Sequence, residues 1–193
     1  MNSQVDAAII SACVAGAVTS VGWFKTNQLT QRREEEARRQ QAALKHLERQ
    51  IEELYGPLLG LIQQSEAVFK VAVLRRDLKD PDSQRAWKYF IEKYFLPLNA
   101  QMATLLSTKV HLSYADSWPA SYLEFFTHQA QFESLHKIWV EEHIDSQMIK
   151  GAGWPQQFGE DVRRTLYELR EFYSQSLTKV GAVQGSQRGS PKD

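Results

Sequence analysis

The sequence predicts an all-α protein: an N-terminal single transmembrane helix continuing into a stalk helix, followed by a soluble bundle of about four helices. Three observations carry this. Ala7 to Phe24 (AAIISACVAGAVTSVGWF) holds no charged side chain. Lys25 to Glu53 is a run of helix formers without glycine or proline. Beyond it, apolar residues recur at three- and four-residue spacing, and no useful stretch alternates with the period of two that a half-buried strand shows. The expected domains are a short extracytoplasmic N-terminus (1–6), a transmembrane helix (7–24), a charged helical stalk (25–43), a helical-bundle domain (44–180) and a disordered tail (181–193, GAVQGSQRGSPKD) of small polar residues.

The uncharged run is just long enough for its role. At 1.5 Å per residue a helix of this length reaches about 27 Å, close to the hydrocarbon thickness of a bilayer. Its strong apolar side chains are few, chiefly Ile9, Ile10, Val14, Val18, Val21 and Phe24, so insertion of a lone helix is marginal. The alternative is a buried helix in a soluble oligomer. Ala8, Ala12, Gly16 and Ser20 recur every four residues as one stripe of small side chains, a pattern that lets two helix backbones approach closely in lipid. Composition alone also generates such a stripe in an alanine-rich span.

Charge sets the orientation. Met1 to Asp6 has no lysine or arginine, whereas Lys25, Arg32, Arg33, Arg38 and Arg39 follow the run. Cytoplasmic flanks carry the basic excess, so the C-terminal side is expected in the cytoplasm and the N-terminus outside. Trp23 stands at the exit, where an indole suits the headgroup boundary. A signal peptide would need a positive segment before its apolar run, and Asp6 stands there instead. Ile10-Ser11-Ala12-Cys13 resembles a lipoprotein cleavage box only superficially, because the apolar run continues past Cys13. Cys13 is the only cysteine, so no intramolecular disulfide forms.

Lys plus Arg and Asp plus Glu number 23 each, a balance that argues against nucleic-acid binding, which demands a basic excess. Five Trp and nine Phe supply large side chains for a core.

Leu44, Leu47, Ile51, Leu54, Leu58 and Leu61 follow the alternating spacing of a coiled-coil seam or of a bundle helix. The backward register meets Arg33, Ala37 and Gln40, so the seam is short, and docking on the rest of the domain is preferred over a dimeric coiled coil. Tyr55-Gly56-Pro57 predicts a break or bend, since proline disfavours helical geometry just before it. Leu58 to Leu74 is apolar nearly all round, as a helix buried against several neighbours would be. A turn at Asp80-Pro81-Asp82-Ser83, with Asp82 or Ser83 as N-cap, precedes a helix from about Gln84 to Leu106 kinked at Pro97. Its apolar face is Trp87, Phe90, Ile91, Tyr94, Phe95, Leu98, Met102 and Leu105.

Ser107 to Asp116 reads as a connector, long enough for a binding loop but more simply a plain one. A fourth helix is expected to be capped by Ser117, with Tyr122, Phe125, Phe126, Phe132, Leu135, Trp139 and Val140 inward. Gly151-Ala152-Gly153-Trp154-Pro155 introduces the last helix, with Phe158, Val162, Leu166, Leu169, Phe172, Tyr173 and Leu177 as its buried positions.

Catalytic signals are thin. Glu124 and His128 are four apart on the fourth helix, and Glu133 and His136 three apart, which makes these four the weak metal-ligand candidates. A carboxylate-bridged di-iron bundle uses two Glu-x-x-His motifs on separate helices, and only Glu133 to His136 matches. A histidine switch at His111, His128, His136 or His143 is conceivable. The sequence lacks phosphate-loop, dinucleotide-binding and nucleophile-elbow motifs, so no cofactor and no catalytic residue is predicted.

The functional expectation is a single-pass cell-membrane protein presenting a cytoplasmic helical interaction domain. Its partners are the lipid bilayer and either a second copy or another protein. The alternatives are a membrane-perturbing or pore-forming effector and a metal-dependent helical-bundle enzyme.

Overall fold

The structure, a computed structural model, describes residues 3–74, 80–115, 117–142 and 153–188, with side chains described for 23, 26–74, 80–115, 117–142 and 153–178. The described residues are helical throughout apart from short turns, and no strand occurs among them. Two compact units divide the chain, residues 1–45 and 46–193.

Helix α1 spans Ser3–Arg49, and every side chain from Thr26 to Ala43 is exposed. Among the described residues no helix is long and apolar enough to cross a membrane, so the expected transmembrane span gains no support from them. The side chains of Ala7 to Gly22, of Phe24 and of Lys25 lie outside the described residues.

The second unit is a bundle of four helical rods. Its first rod passes from the end of α1 through a π turn, Gln50–Tyr55, into α2, Gly56–Val73. The second repeats that plan: α3, Pro81–Phe90, a π turn, Ile91–Phe95, and α4, Leu96–Thr108. Helices α5, Ala120–Glu141, and α6, Gln156–Arg188, complete it.

At Pro57, where a break or bend is expected, and at Pro97, where a kink is expected, helical structure continues through a π turn, for one physical reason. A proline inside an α-helix has no N–H to donate, and its ring collides with the carbonyl four residues back. A π turn opens the ladder by one residue at that point. Gly56 N–H donates to Ile51 O just before Pro57, and Leu96 N–H donates to Ile91 O just before Pro97. Each proline then falls in the first turn of the next α-helix, where no N–H is needed.

The core forms where the inward faces meet. Leu58 and Ile62 of α2, Met102 and Leu106 of α4, Phe125 of α5, and Phe158, Val162 and Leu169 of α6 are all fully buried. The leucine seam docks here, with Leu54 and Leu58 in the core and Leu47, Ile51 and Leu61 packed against it. A second, smaller cluster joins Ala72, Ile91 and Phe95.

Several sequence expectations need correction. Asp80, not Asp82 or Ser83, caps α3: its carboxylate accepts from the N–H groups of both, and Pro81 begins the helix. Ser117 does not cap α5, which starts after Pro119 with no side-chain cap. Tyr94 and Val140 are exposed, and Phe172 and Leu177 remain 52% and 48% exposed although they continue the apolar face of α6. Periodicity shows which face is apolar, not how far the partner helices extend along it. The α6 backbone is helical as far as Arg188, past Gly181, where the sequence suggested its end.

The connector after α4 is a pinned loop. Val110–Leu112 forms a 3-10 turn that buries Leu112 completely. Gln50, itself buried in the first π turn, donates its amide to the carbonyls of Leu112 and Ser113 at 3.2 Å each. Tyr114 N–H donates to the Tyr55 hydroxyl at 3.0 Å. Beside them Glu53 accepts from Arg49 at 2.8 Å and from Lys109 at 2.6 Å. Gln50→Leu keeps the bulk and removes both amide bonds, so urea unfolding is expected to show a loss of about 1–2 kcal/mol.

Glu53 and Asp161 are among the carboxylates that couple this bundle to pH. Hydrogen bonds from Arg49 and Lys109 hold Glu53 down at about 2. Asp161 is buried, which pushes its carboxyl up. Hydrogen bonds from Ser121 Oγ at 2.6 Å and Gln157 at 2.9 Å, with the charge of Arg164, outweigh burial and leave it below the ordinary range. Both groups bind protons more weakly in the folded chain than in the unfolded one. Their stabilisation is therefore fully present above the unfolded carboxylate range, about pH 4, and is lost as pH falls through each folded-state value, which for Glu53 is about 2. Thermal melts between pH 7 and 2 should show that decline, and Asp161→Asn should make it shallower.

Candidate functional site

The described surface is broken by a cavity of about 400 Å³ in the 46–193 unit. Helix periodicity builds it. On α2, Ser65 follows Ile62 on the inward face, and Phe69, one turn further on, lines the cavity while 48% exposed. On the second rod, Trp87, Phe95 and Asn99 point the same way, and on α5 His128 and Phe132 are one helical turn apart. Trp154 closes one wall and Gln156, at the start of α6, reaches its edge.

The walls are aromatic and mutually braced. Trp87 and Phe95 have centroids 5.8 Å apart at 51°, and Phe69 lies 6.3 Å from Phe95. His128 stacks on Phe132 at 5.5 Å and 23°, and meets Trp154 edge-on at 5.5 Å. Glu66 and Lys70 also line the cavity, and Glu66 is held by Arg163 at 2.5 Å.

Three buried polar residues face this apolar enclosure: Ser65, Asn99 and His128. Asn99 is 3% exposed, and its carboxamide forms no hydrogen bond with any described residue. Its donor and acceptor are thus open to whatever occupies the cavity. Ser65 likewise makes no hydrogen bond among the described residues, so the hydroxyl–imidazole pairing that activates a serine nucleophile is not formed with His128. The arrangement is one that holds a ligand by shape and by a few polar contacts.

The weak metal-ligand candidates are not brought together. Glu124 is exposed, His128 turns into the cavity, and Glu133 accepts from Gln129 at 2.9 Å. His136 Nε2 lies 3.5 Å from Glu92 of the second rod, while its buried Nδ1 has no partner among the described residues. Those residues contain no group of three or more potential metal ligands. His111 sits 3.4 Å from Arg49, and His143 lies outside the described residues. Of the membrane-flanking residues, Trp23, Arg32 and Arg33 are exposed and Lys25 lies outside the described side chains, as do Ala8, Ala12, Gly16 and Ser20 of the small-residue stripe.

Helical spacing places Trp87, Phe95 and Phe132 on inward faces as core residues would be, so it does not disclose the cavity. The available signal was polar identity at inward positions. Asn99 stands four residues after Phe95 and three before Met102, and Ser65 three after Ile62 and four before Phe69. Comparison with protein-family models, with curated proteins and with solved structures gives no match, so the chain is placed here by its own geometry alone.

Proposed function

We propose that the protein is a single-pass cell-membrane protein that presents a helical interaction domain on the cytoplasmic side and self-associates. The observation carrying this reading is the uncharged run Ala7 to Phe24, which lies within a helix that continues without a break to Arg49. Further support comes from the exposure of every side chain from Thr26 to Ala43, as a solvated stalk requires. The basic residues after the run favour a cytoplasmic domain. Phe69, Val71, Val73 and Leu74 stand exposed along the end of α2, the kind of apolar surface that protein contacts use.

Fractionation of the full-length chain tests the anchor, and a reporter fused after Asp193 tests its orientation. Recovery in the soluble fraction without detergent, or an extracytoplasmic reporter, refutes the proposal. Self-association through the stripe is tested by crosslinking in membranes: Gly16→Leu and Ala12→Ile should abolish the crosslinked species, and an unchanged oligomer removes the stripe as its interface. Collapse of the membrane potential on overexpression would instead favour a pore-forming effector.

A further inference from the structure

We infer that the cavity between α2, the second rod, α5 and the start of α6 binds a small, uncharged, planar heteroaromatic molecule whose edge carries a paired hydrogen-bond donor and acceptor, as a lactam does. Its size sets the scale. An apolar cavity of about 150 Å³ takes benzene, so the 400 Å³ here has room for a fused two-ring system. Shape follows from the walls, where the flat faces and edges of Phe69, Trp87, Phe95, Phe132 and Trp154 suit a planar guest in stacked and edge contacts.

The polar pattern narrows the chemistry. The Asn99 carboxamide offers a carbonyl acceptor and an NH₂ donor side by side, and neither is engaged by a described residue. A lactam edge answers both at once, where a hydrocarbon answers neither. Asn99 and Ser65 carry no charge, and the Glu66 carboxylate is already paired with Arg163. An ionised guest would find no counter-charge at Asn99, since Lys70, the other charged residue of the lining, is exposed, and it would lose its hydration, which favours an uncharged buried portion.

The test uses the full-length chain and ligand-observed NMR titration with three probes: quinolin-2(1H)-one, naphthalene and decanoate. Quinolin-2(1H)-one is expected to bind about tenfold more tightly than naphthalene of nearly equal shape. Asn99→Leu should remove that preference by weakening quinolinone about tenfold and leaving naphthalene unchanged. Its thermal midpoint should stay close to that of the parent chain, because leucine keeps the branched shape of asparagine and no hydrogen bond to a described residue is lost, and this confirms folding. Ser65→Leu, which fills part of the cavity from α2, should weaken both aromatic probes and supplies the result should the first variant not fold.

Equal affinity of the two aromatic probes, or a preference that survives Asn99→Leu, overturns the proposal by showing that the amide reads nothing. Absence of binding by both overturns it too, since the cavity then takes no aromatic guest. Tighter binding of decanoate than of quinolinone makes the site an acyl-chain pocket and overturns it as well. None of these outcomes depends on whether the chain enters a membrane, so this inference and the proposed function fail separately.

Discussion

Phe125→Ala is expected to destabilise the bundle by about 3–5 kcal/mol, the usual cost of truncating a fully buried phenylalanine. The ring is completely buried on α5 and stacks on Phe158 of α6 at 4.5 Å with planes 11° apart. Trp154 meets it edge-on at 5.9 Å, and Phe126 lies at the same centroid distance. Deleting it therefore removes apolar area and leaves a void that Phe158 cannot fill without giving up its contact with Tyr122 at 5.2 Å. Phe126→Ala is the control. That ring is only partly buried and stacks on Trp118, so its loss should cost less than half as much. Urea unfolding monitored by near-ultraviolet circular dichroism reads both variants, because the affected rings share one asymmetric environment. Equal costs for the two would mean that the aromatic stack is not where α5 and α6 are held together.

The same cluster shows what the sequence could and could not convey. Phe125, Phe158, Val162, Leu166 and Leu169 were legible as inward positions because three- and four-residue spacing places them on one helical face, and all are buried. The leucine seam was legible for the same reason. Other features were not, because they depend on what stands opposite. Phe172 and Leu177 continue the α6 stripe yet stay half exposed. Trp87, Phe95 and Phe132 lie inward as expected, but they surround space instead of filling it. A cavity is a shortfall of volume between several helices, and no single helix records that shortfall in its own spacing. The sequence marks His128 only as one of four weak metal-ligand candidates, whereas its neighbours Phe132 and Trp154 make it part of an aromatic wall. The two π turns were hidden as well. A proline in a helical pattern signals trouble with the ladder, but whether the chain breaks, kinks or absorbs an extra residue is decided by the packing on either side.

Gly56→Ala and Gly60→Ala, four residues apart on α2, are expected to change stability in opposite directions. An alanine normally gains about 0.5–1 kcal/mol over glycine inside a helix by restricting the unfolded chain and adding helix propensity. Gly60 should show that gain, since a Cβ built there meets nothing within 4 Å and the position is exposed. At Gly56 the added carbon would stand 2.7 Å from the backbone oxygen of Ile51, the oxygen that accepts the N–H of Gly56 itself. Close approach to a backbone oxygen cannot be relieved by turning a side chain. The π turn must open, and Gln50, Leu54 and Tyr55 within it are buried against the core and the pinned loop. Overpacking of this kind costs about 1–3 kcal/mol, which exceeds the propensity gain, so a net loss of about 2 kcal/mol is expected for Gly56→Ala. Leu96 occupies the corresponding place before Pro97 in the second rod, so a π turn as such accepts a side chain there. What distinguishes the first rod is that its turn also carries buried Gln50, hydrogen-bonded to the pinned loop. If Gly56→Ala proves as stabilising as Gly60→Ala in thermal melts, the chain before Pro57 does not follow the tight path on which the docking of the first rod depends.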